Sequence, residues 1–295
     1  MAAAAPRTEG QEVPNRRVIL KRHVTGFPTE DDMELVAGAA HLAVPPGSAA
    51  VVLKNLYLSC DPYMRGRMSR HERPSYLPDF VPGEALVGFG VSKVVAYGHP
   101  DFNVGDLVWG ITGWEEYTTV DPATKLLFKI KHSEIPLSYY TGVIGMPGLA
   151  AYFGLYDVAK PKKGDYVFVS AAAGAFGQIA GQLAKLTGCY VVGSAGSDEK
   201  VNLLKTKFGF DDALNYKKTE PKRSIAEGVR NLTSLIIKRV RMEGFVASDY
   251  FVKYPEFEEE MVGYLKDGKI VYIEDVAEGI EKAPAALTGL FTGRN

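Results

Sequence analysis

The run Ser170-Ala171-Ala172-Ala173-Gly174-Ala175-Phe176-Gly177 carries the spacing A-x-G-x-x-G from Ala172 onward. A glycine at 174 lets backbone N–H groups approach a pyrophosphate closely, and a helix opening there adds the positive end of its dipole. Gly177, with Gly181 one turn later, lets that helix lie close on the strand before it. The spacing alone is weak, because a merely close-packed turn uses the same glycines. A strand before it and a helix after it give it meaning.

Proteins that read the unphosphorylated dinucleotide place an acid about 20 residues further on, at the tip of the second strand, to hold both ribose hydroxyls. This chain has Gly193-Ser194-Ala195-Gly196-Ser197 there, with Lys200 following. Hydroxyls, an open helix N-terminus and a lysine welcome a 2′-phosphate, so the expected cofactor is NADP(H). Asp198 is discordant and is read as a first-turn residue that points to solvent.

Other chemistries lack their residues. A catalytic zinc needs three protein ligands and a structural one usually four, dominated by Cys and His. Cys60 has no neighbouring thiol, and His23, His41, His71, His99 and His132 are scattered without ligand spacing. No metal is expected. No G-x-S-x-G elbow for nucleophilic hydrolysis is present either. The reactivity has to come from a bound nicotinamide, with the protein supplying orientation and polarisation.

The elements that must position these residues fall into two styles. Up to about Lys131, short apolar or alternating runs (Arg17–Leu20, Ala50–Leu53, Glu84–Val87, Asp106–Trp109) are separated by Pro45-Pro46-Gly47, Pro82-Gly83, Gly98-His99-Pro100 and Gly105. That pattern predicts a small barrel or sandwich. From Tyr139 to Val158 the small side chains read as one helix. The apolar run Tyr166–Val169 predicts a strand buried on both faces. A helix over Phe176–Leu186, a strand at Tyr190–Val192, a helix over Ser197–Phe208 and a strand at Asp212–Asn215 complete half of a doubly wound nucleotide-binding domain. Further helices are predicted over Glu227–Lys238 and Glu256–Lys266, with strands around Glu243–Ala247 and at Lys269–Ile273.

Composition is that of a soluble globular protein rather than a disordered one: 46% of the 295 residues are hydrophobic and 23% charged; the order of the elements gives the α/β class. A net charge of −1 gives no field for nucleic acid or an anionic membrane, and neither is an expected partner. Two distant cysteines fit a reducing compartment, so the expected address is the cytosol. No stretch is long and apolar enough to span a membrane. The alanine-rich opening is read as a frayed tail rather than a targeting peptide.

Several longer segments carry a resemblance: Asn55-Leu56-Tyr57-Leu58-Ser59-Cys60-Asp61-Pro62-Tyr63-Met64-Arg65, Pro136–Gly142, Gly145-Met146-Pro147-Gly148, Gly193–Ser197 and Phe208–Asp212. Together with the glycine turn they make the chain similar to the medium-chain dehydrogenase/reductases. Within that superfamily it resembles the zinc-independent plant 2-alkenal reductases, or double-bond reductases, and their prostaglandin reductase relatives. The likeness covers nearly the whole chain. Zinc-bearing cousins carry Gly-His-Glu where this chain has Pro82-Gly83-Glu84, without the histidine.

The resemblance implies a GroES-like β-rich domain over 1–137, with 271–295 returning to it, and a Rossmann-type domain over 138–270. It implies that Pro62 and Tyr63 meet the nicotinamide end and that Ala172, Gly174, Ala175, Phe176 and Gly177 hold the pyrophosphate. Gly196, Lys200 and Tyr216 would attend the ribose phosphate, Phe245, Val246 and Ala247 would wall the nicotinamide, and Asn295 would lie at a far cofactor contact. Tyr63, the candidate catalytic group, and Phe89 would line the substrate pocket. An ordinary half-buried tyrosine and a plain core phenylalanine are the plainer readings of those two. The implied reaction moves hydride from NADPH to the β-carbon of an enal or enone and a proton to the α-carbon. A homodimer is implied as well.

A complete sheet would need more chain than follows Tyr216. By resemblance, about two strands are missing between Glu220 and Glu227, and Lys217–Ala226 reads as a polar junction without a periodic face. The end after Gly293-Arg294-Asn295 also reads as clipped. Loss of two interior strands would open one side of the cofactor crevice, weaken cofactor affinity and stability, and leave the first strand as an edge or paired with the strand near Phe245. Two further readings therefore stand beside the reductase: a catalytically inactive dinucleotide-fold protein acting by binding or hetero-oligomerisation, and a zinc-free quinone reductase.

Overall fold

Glycines and prolines cut the first 130 residues into short strands in the computed structural model, which describes residues 10–73, 75–123, 126–218, 239 and 242–294. The chain divides into two units, Met1–Thr141 with Asp275–Asn295, and Gly142–Glu274.

In the first unit the strands are β1 (Glu12–Pro14), β2 (Arg17–Leu20), β3 (Met33–Val36), β4 (Ala39–His41), β5 (Val51–Leu58), β6 (Val87–Tyr97), β7 (Leu107–Gly113), β8 (Tyr117–Val120) and β9 (Leu127–Lys129). They form an antiparallel sheet of order β8-β5-β6-β7-β9 and two ribbons, β1-β4 and β2-β3. Gly47, Gly83 and Gly105 turn the chain at φ of 77°, 88° and 98°, where other residues would be strained. One core gathers Val18, Leu20, Met64, Met68, Leu86 and Trp114. Leu287 joins it from α6 (Ala283–Thr292), which brings the end of the chain back to this unit. A single turn, α1 (Met64–Arg67), follows β5.

In the second unit a parallel sheet of order β10-β11-β12 is built from β10 (Tyr166–Val169), β11 (Tyr190–Ala195) and β12 (Asp212–Asn215). The strands alternate with α3 (Ala175–Leu186) and α4 (Asp198–Thr206). Ile179, Leu183 and Ala184 of α3 are buried. A Cβ on Gly181 would lie 1.9 Å from Cζ of Phe210, so glycine is what lets that ring pack there.

Four sequence expectations are corrected. The helix expected over Tyr139–Val158 is a 3-10 turn (Leu137–Thr141), then α2 (Met146–Phe153), then a π turn (Gly154–Ala159). At the first break a Cβ on Gly142 would collide with the Tyr272 hydroxyl at 2.0 Å. The π turn closes through Lys160 N–H donating to the Leu155 carbonyl at 2.7 Å, with Lys160 left-handed at φ 49° before Pro161. Strand β10 is not buried on both faces: Tyr166 is 81% and Phe168 48% exposed. Among the described residues β10 pairs with β11 alone, and the alternation of the strand turns these two rings to the same open face.

Residues 242–246 form no strand, and a 3-10 turn (Ala247–Lys253) follows them. Phe245 instead packs edge-on against Tyr250, with ring centroids 6.2 Å apart. Lys269–Ile273 likewise forms no strand, because helix side chains occupy its backbone groups: Val271 bonds Gln182 and Ile273 bonds Gln178. The helix at Glu256–Lys266 is present as α5 (Tyr254–Lys266), anchored by the Tyr254 hydroxyl donating to the Ile144 carbonyl at 2.8 Å. The expected helix over 227–238 and the junction from 219 onward lie outside the described residues.

Candidate functional site

The glycine turn links β10 to α3. Ala171 takes φ 47°, a left-handed conformation that costs an L side chain energy, and its carbonyl accepts the Gly174 N–H at 3.0 Å. Ala172 is fully buried and its N–H donates to the Ser194 carbonyl at 2.8 Å, tying the turn to β11. Its methyl fits in place of a first glycine because β11 carries Gly193, where a Cβ would lie 2.9 Å from the Ala172 Cβ. A Cβ on Gly177 would stand 2.6 Å from the Ala172 Cα, so only glycine allows the helix this close.

Gly174 differs. A Cβ there would meet only the Ala171 carbonyl oxygen, at 3.3 Å, and the outer side of the turn is open. Gly174 is also the N-cap of the 12-residue α3, and the first-turn N–H groups of such a helix have no intrahelical acceptors. The turn, with Ala175 and the 44%-exposed Phe176 in the first turn of α3, fits a pyrophosphate.

The adenosine end lies where β11 meets α4. Ser197 caps α4, its hydroxyl accepting the Lys200 N–H at 3.2 Å. Tyr216 follows β12, and its hydroxyl comes within 3.0 Å of where a Cβ on Gly196 would be, with Lys217 Cε at 3.4 Å. Gly196 and Tyr216 are thus brought together, with Lys200 in the first turn of α4. Asp198 does not simply point to solvent: Asn215 donates to its Oδ1 at 2.8 Å and Lys218 pairs with its Oδ2. These hydrogen bonds hold its carboxyl below the usual range.

In the first unit, Pro62 and Tyr63 leave β5 just before α1. The Tyr63 ring meets Phe89 edge-on, with centroids 6.3 Å apart and planes at 77°. Phe89 is buried and stacks on Trp109 at 5.4 Å, which stacks in turn on Phe128 at 5.7 Å. Burial, followed by the charge of Asp61, pushes the Tyr63 phenol well above its ordinary value, so the hydroxyl keeps its proton. The positive charge of Arg67, one turn on, opposes that rise. That guanidinium is fixed by the carbonyls of Pro78 (2.9 Å) and Val87 (3.0 Å) and lies 4.0 Å over the Phe80 ring. Neither Arg67 nor Lys218 was found from sequence; Arg67 had one available signal, its place four residues after Tyr63 on a helical turn.

Burial and the neighbouring charges of Asp61 and Asp275 push the Cys60 thiol up to about 12, which leaves no thiolate for nucleophilic chemistry. Burial pushes Asp61 up to about 7. Phe245 and Val246 are about two-fifths exposed and precede the 3-10 turn that Ala247 opens; they are not brought to the glycine turn by any sheet. Asn295 lies outside the described residues. No group of three His, Cys, Asp or Glu able to hold a metal occurs among the described residues.

Fold and turn together define a two-unit dinucleotide-fold oxidoreductase, and known proteins agree. Residues 16–130 match the family of N-terminal domains of oxidoreductases, and residues 175–240 match the zinc-binding dehydrogenase family. The chain is 51% identical to a 2-alkenal reductase (NADP(+)-dependent) of Nicotiana tabacum over 332 residues, covering 97% of this chain and 96% of that one. It is 42% identical to the (+)-pulegone reductase of Mentha piperita, covering 96% of each. The crystal structure of CurA in complex with NADPH from Vibrio vulnificus superposes with a TM-score of 0.81 at 33% identity, covering 95% of this chain and 96% of that one. The chain belongs to the medium-chain dehydrogenase/reductase family, in the group that holds the 2-alkenal reductases and the prostaglandin reductases.

Proposed function

We propose that this chain reduces the α,β-carbon–carbon double bond of 2-alkenals and enones with NADPH. The observation that carries the reading is the open phosphate turn at Ala172–Gly177, together with a second-strand tip that has Gly196, met by Tyr216 from the end of β12, where a ribose-binding acid would stand. Likeness to an NADP(+)-dependent 2-alkenal reductase along the whole chain supports the substrate class.

When bound, the nicotinamide supplies the hydride that goes to the β-carbon. First-turn N–H groups of α3 hold the pyrophosphate, while Gly196, Tyr216 and Lys200 receive the ribose phosphate. Tyr63, its proton retained by burial, donates a hydrogen bond to the substrate carbonyl oxygen, where negative charge collects as the β-carbon is reduced. Phe89 and its stacked neighbours give the Tyr63 ring an apolar flank. Phe245, Val246 and Ala247 are assigned to the nicotinamide wall and Asn295 to a far cofactor contact on resemblance alone.

The second unit is read as short of about two strands after residue 220. The alignment with the tobacco protein supports this: it runs over 332 positions and the chain has 295 residues, so at least 37 positions have no residue here. The same observation favours a second reading, a dinucleotide-fold protein that binds without turnover. A cytosolic homodimer belongs to the first reading, and light scattering on purified protein tests the dimer.

Turnover decides between the two. NADPH oxidation is followed with a short 2-alkenal, an enone, a quinone and a saturated alcohol with NADP(+). The reductase reading expects oxidation with the first two, deuterium from labelled NADPH at the β-carbon, and no reaction with the alcohol. NADPH binding without any oxidation selects the second reading, and oxidation by the quinone alone rejects both.

A further inference from the structure

Asp198 occupies the first turn of α4, beside the Gly196–Ser197 turn to which the ribose phosphate is assigned. An acid there favours the helix dipole and opposes a dianionic phosphate, so its surroundings decide which effect the cofactor meets. The structure holds this carboxylate on both oxygens. Asn215, the last residue of β12, donates its amide to Oδ1 at 2.8 Å, and the Lys218 ammonium pairs with Oδ2. Asn215 is itself oriented, because its Oδ1 accepts the Lys217 N–H at 3.0 Å and so turns the amide nitrogen toward Asp198. The register places Asn215 opposite Ala195, at the matching end of β11. The acid is drawn toward the end of β12, and its charge is balanced there.

We infer that Asn215 and Lys218 form a neutralising clamp on Asp198, and that this clamp sets the preference of the chain for a 2′-phosphorylated dinucleotide. The inference rests on the assignment of the ribose phosphate to Gly196, Lys200 and Tyr216 made above. Lys218 is a specificity residue that acts through Asp198, rather than a ligand of the phosphate. Removing its ammonium leaves a carboxylate uncompensated beside the phosphate, which weakens NADPH and leaves NADH untouched. Both side chains are more than half exposed, so the effect is modest and shrinks with added salt.

Calorimetric titration of the full-length protein with NADPH, NADH and 2′,5′-ADP tests this in four forms: parent, Lys218→Ala, Asp198→Asn and the double variant. Lys218→Ala is expected to weaken NADPH and 2′,5′-ADP by about threefold at low salt, with NADH unchanged. Asp198→Asn in that background is expected to restore both. A double variant as weak as Lys218→Ala would mean direct phosphate contact by Lys218 and would overturn the clamp, as would a silent Lys218→Ala. A parent protein that binds NADH as well as NADPH, or neither, would overturn the adenosine-site assignment and the clamp together. Circular dichroism of each variant separates misfolding from these outcomes.

Discussion

The side-chain amide of Gln182 bonds both backbone groups of Val271, its Oε1 accepting the N–H at 2.8 Å and its Nε2 donating to the carbonyl at 2.8 Å. Gln178 does the same for Ile273 at 3.1 and 3.2 Å. The spacings match physically. Four helical residues rise about 6 Å and two extended residues span about 6.6 Å, so one helix face presents an amide to every second residue of the segment. Helix α3 thus supplies the hydrogen bonds that a neighbouring strand would otherwise supply.

Both glutamines are buried, so truncation leaves backbone groups without partners. Gln182→Ala is expected to cost about 2 kcal/mol in urea unfolding. Gln182→Met, which keeps the bulk and loses the amide, should cost nearly as much; a silent methionine variant would show that packing, not the amide, holds residues 269–273.

That segment also marks where sequence reasoning stops. Lys269-Ile270-Val271-Tyr272-Ile273 has the composition of a strand, but a strand exists only if a neighbouring backbone is there to pair with it, and composition does not report the neighbour. The elements read correctly, β10 to β12 with α3 and α4, are set by local periodicity and by turns at Gly174 and Gly188. The Ala172–Gly177 turn was legible because its chemistry is carried by consecutive residues. The contacts of Asn215 and Lys218 with Asp198 were not, because they join residues 17 and 20 positions apart that folding, not spacing, brings together.

Ala171 holds φ 47° without a glycine. An L residue pays about 1–2 kcal/mol in that region, and glycine gives back roughly 0.5–1 kcal/mol through the greater entropy of its unfolded chain. Ala171→Gly is therefore expected to raise stability by up to about 1.5 kcal/mol. Gly177→Ala, whose new methyl would meet the Ala172 Cα at 2.6 Å, is expected to lower stability and NADPH affinity together. Thermal melts with and without NADPH read both effects.

Tyr63 tests the polarising role separately from the fold. Its ring edge on Phe89 survives in Tyr63→Phe, and only the hydroxyl is lost. With a 2-alkenal, kcat/KM is expected to fall about 100-fold, while the Kd for NADPH changes less than about twofold. A variant with parental turnover would remove Tyr63 from the chemistry and leave it as packing.

Asp61, immediately before Pro62 and Tyr63, makes the stability of the chain depend on pH in an unusual direction. The Ser59 hydroxyl lies 3.0 Å from Asp61 Oδ1 and 3.2 Å from the Thr141 carbonyl, and it has one proton for two acceptors. Asp61 Oδ2 has no hydrogen-bond partner among the described residues. A proton on the carboxyl resolves this: Asp61 donates to Ser59, and Ser59 donates to Thr141. Burial accordingly pushes Asp61 up to about 7, against about 3.9 for an unfolded aspartate. Between those values the folded chain keeps a proton that the unfolded chain has released. Its contribution to stability therefore falls as pH rises from about 4 to 7 and is level above that. Asp61→Asn keeps the shape and carries no charge. Relative to the parent it should gain stability as the pH is raised, by at most about 4 kcal/mol at pH 8. Urea midpoints at pH 5 and pH 8 measure the difference, and parallel pH profiles for the two proteins would show that Asp61 is ionised in the folded chain throughout.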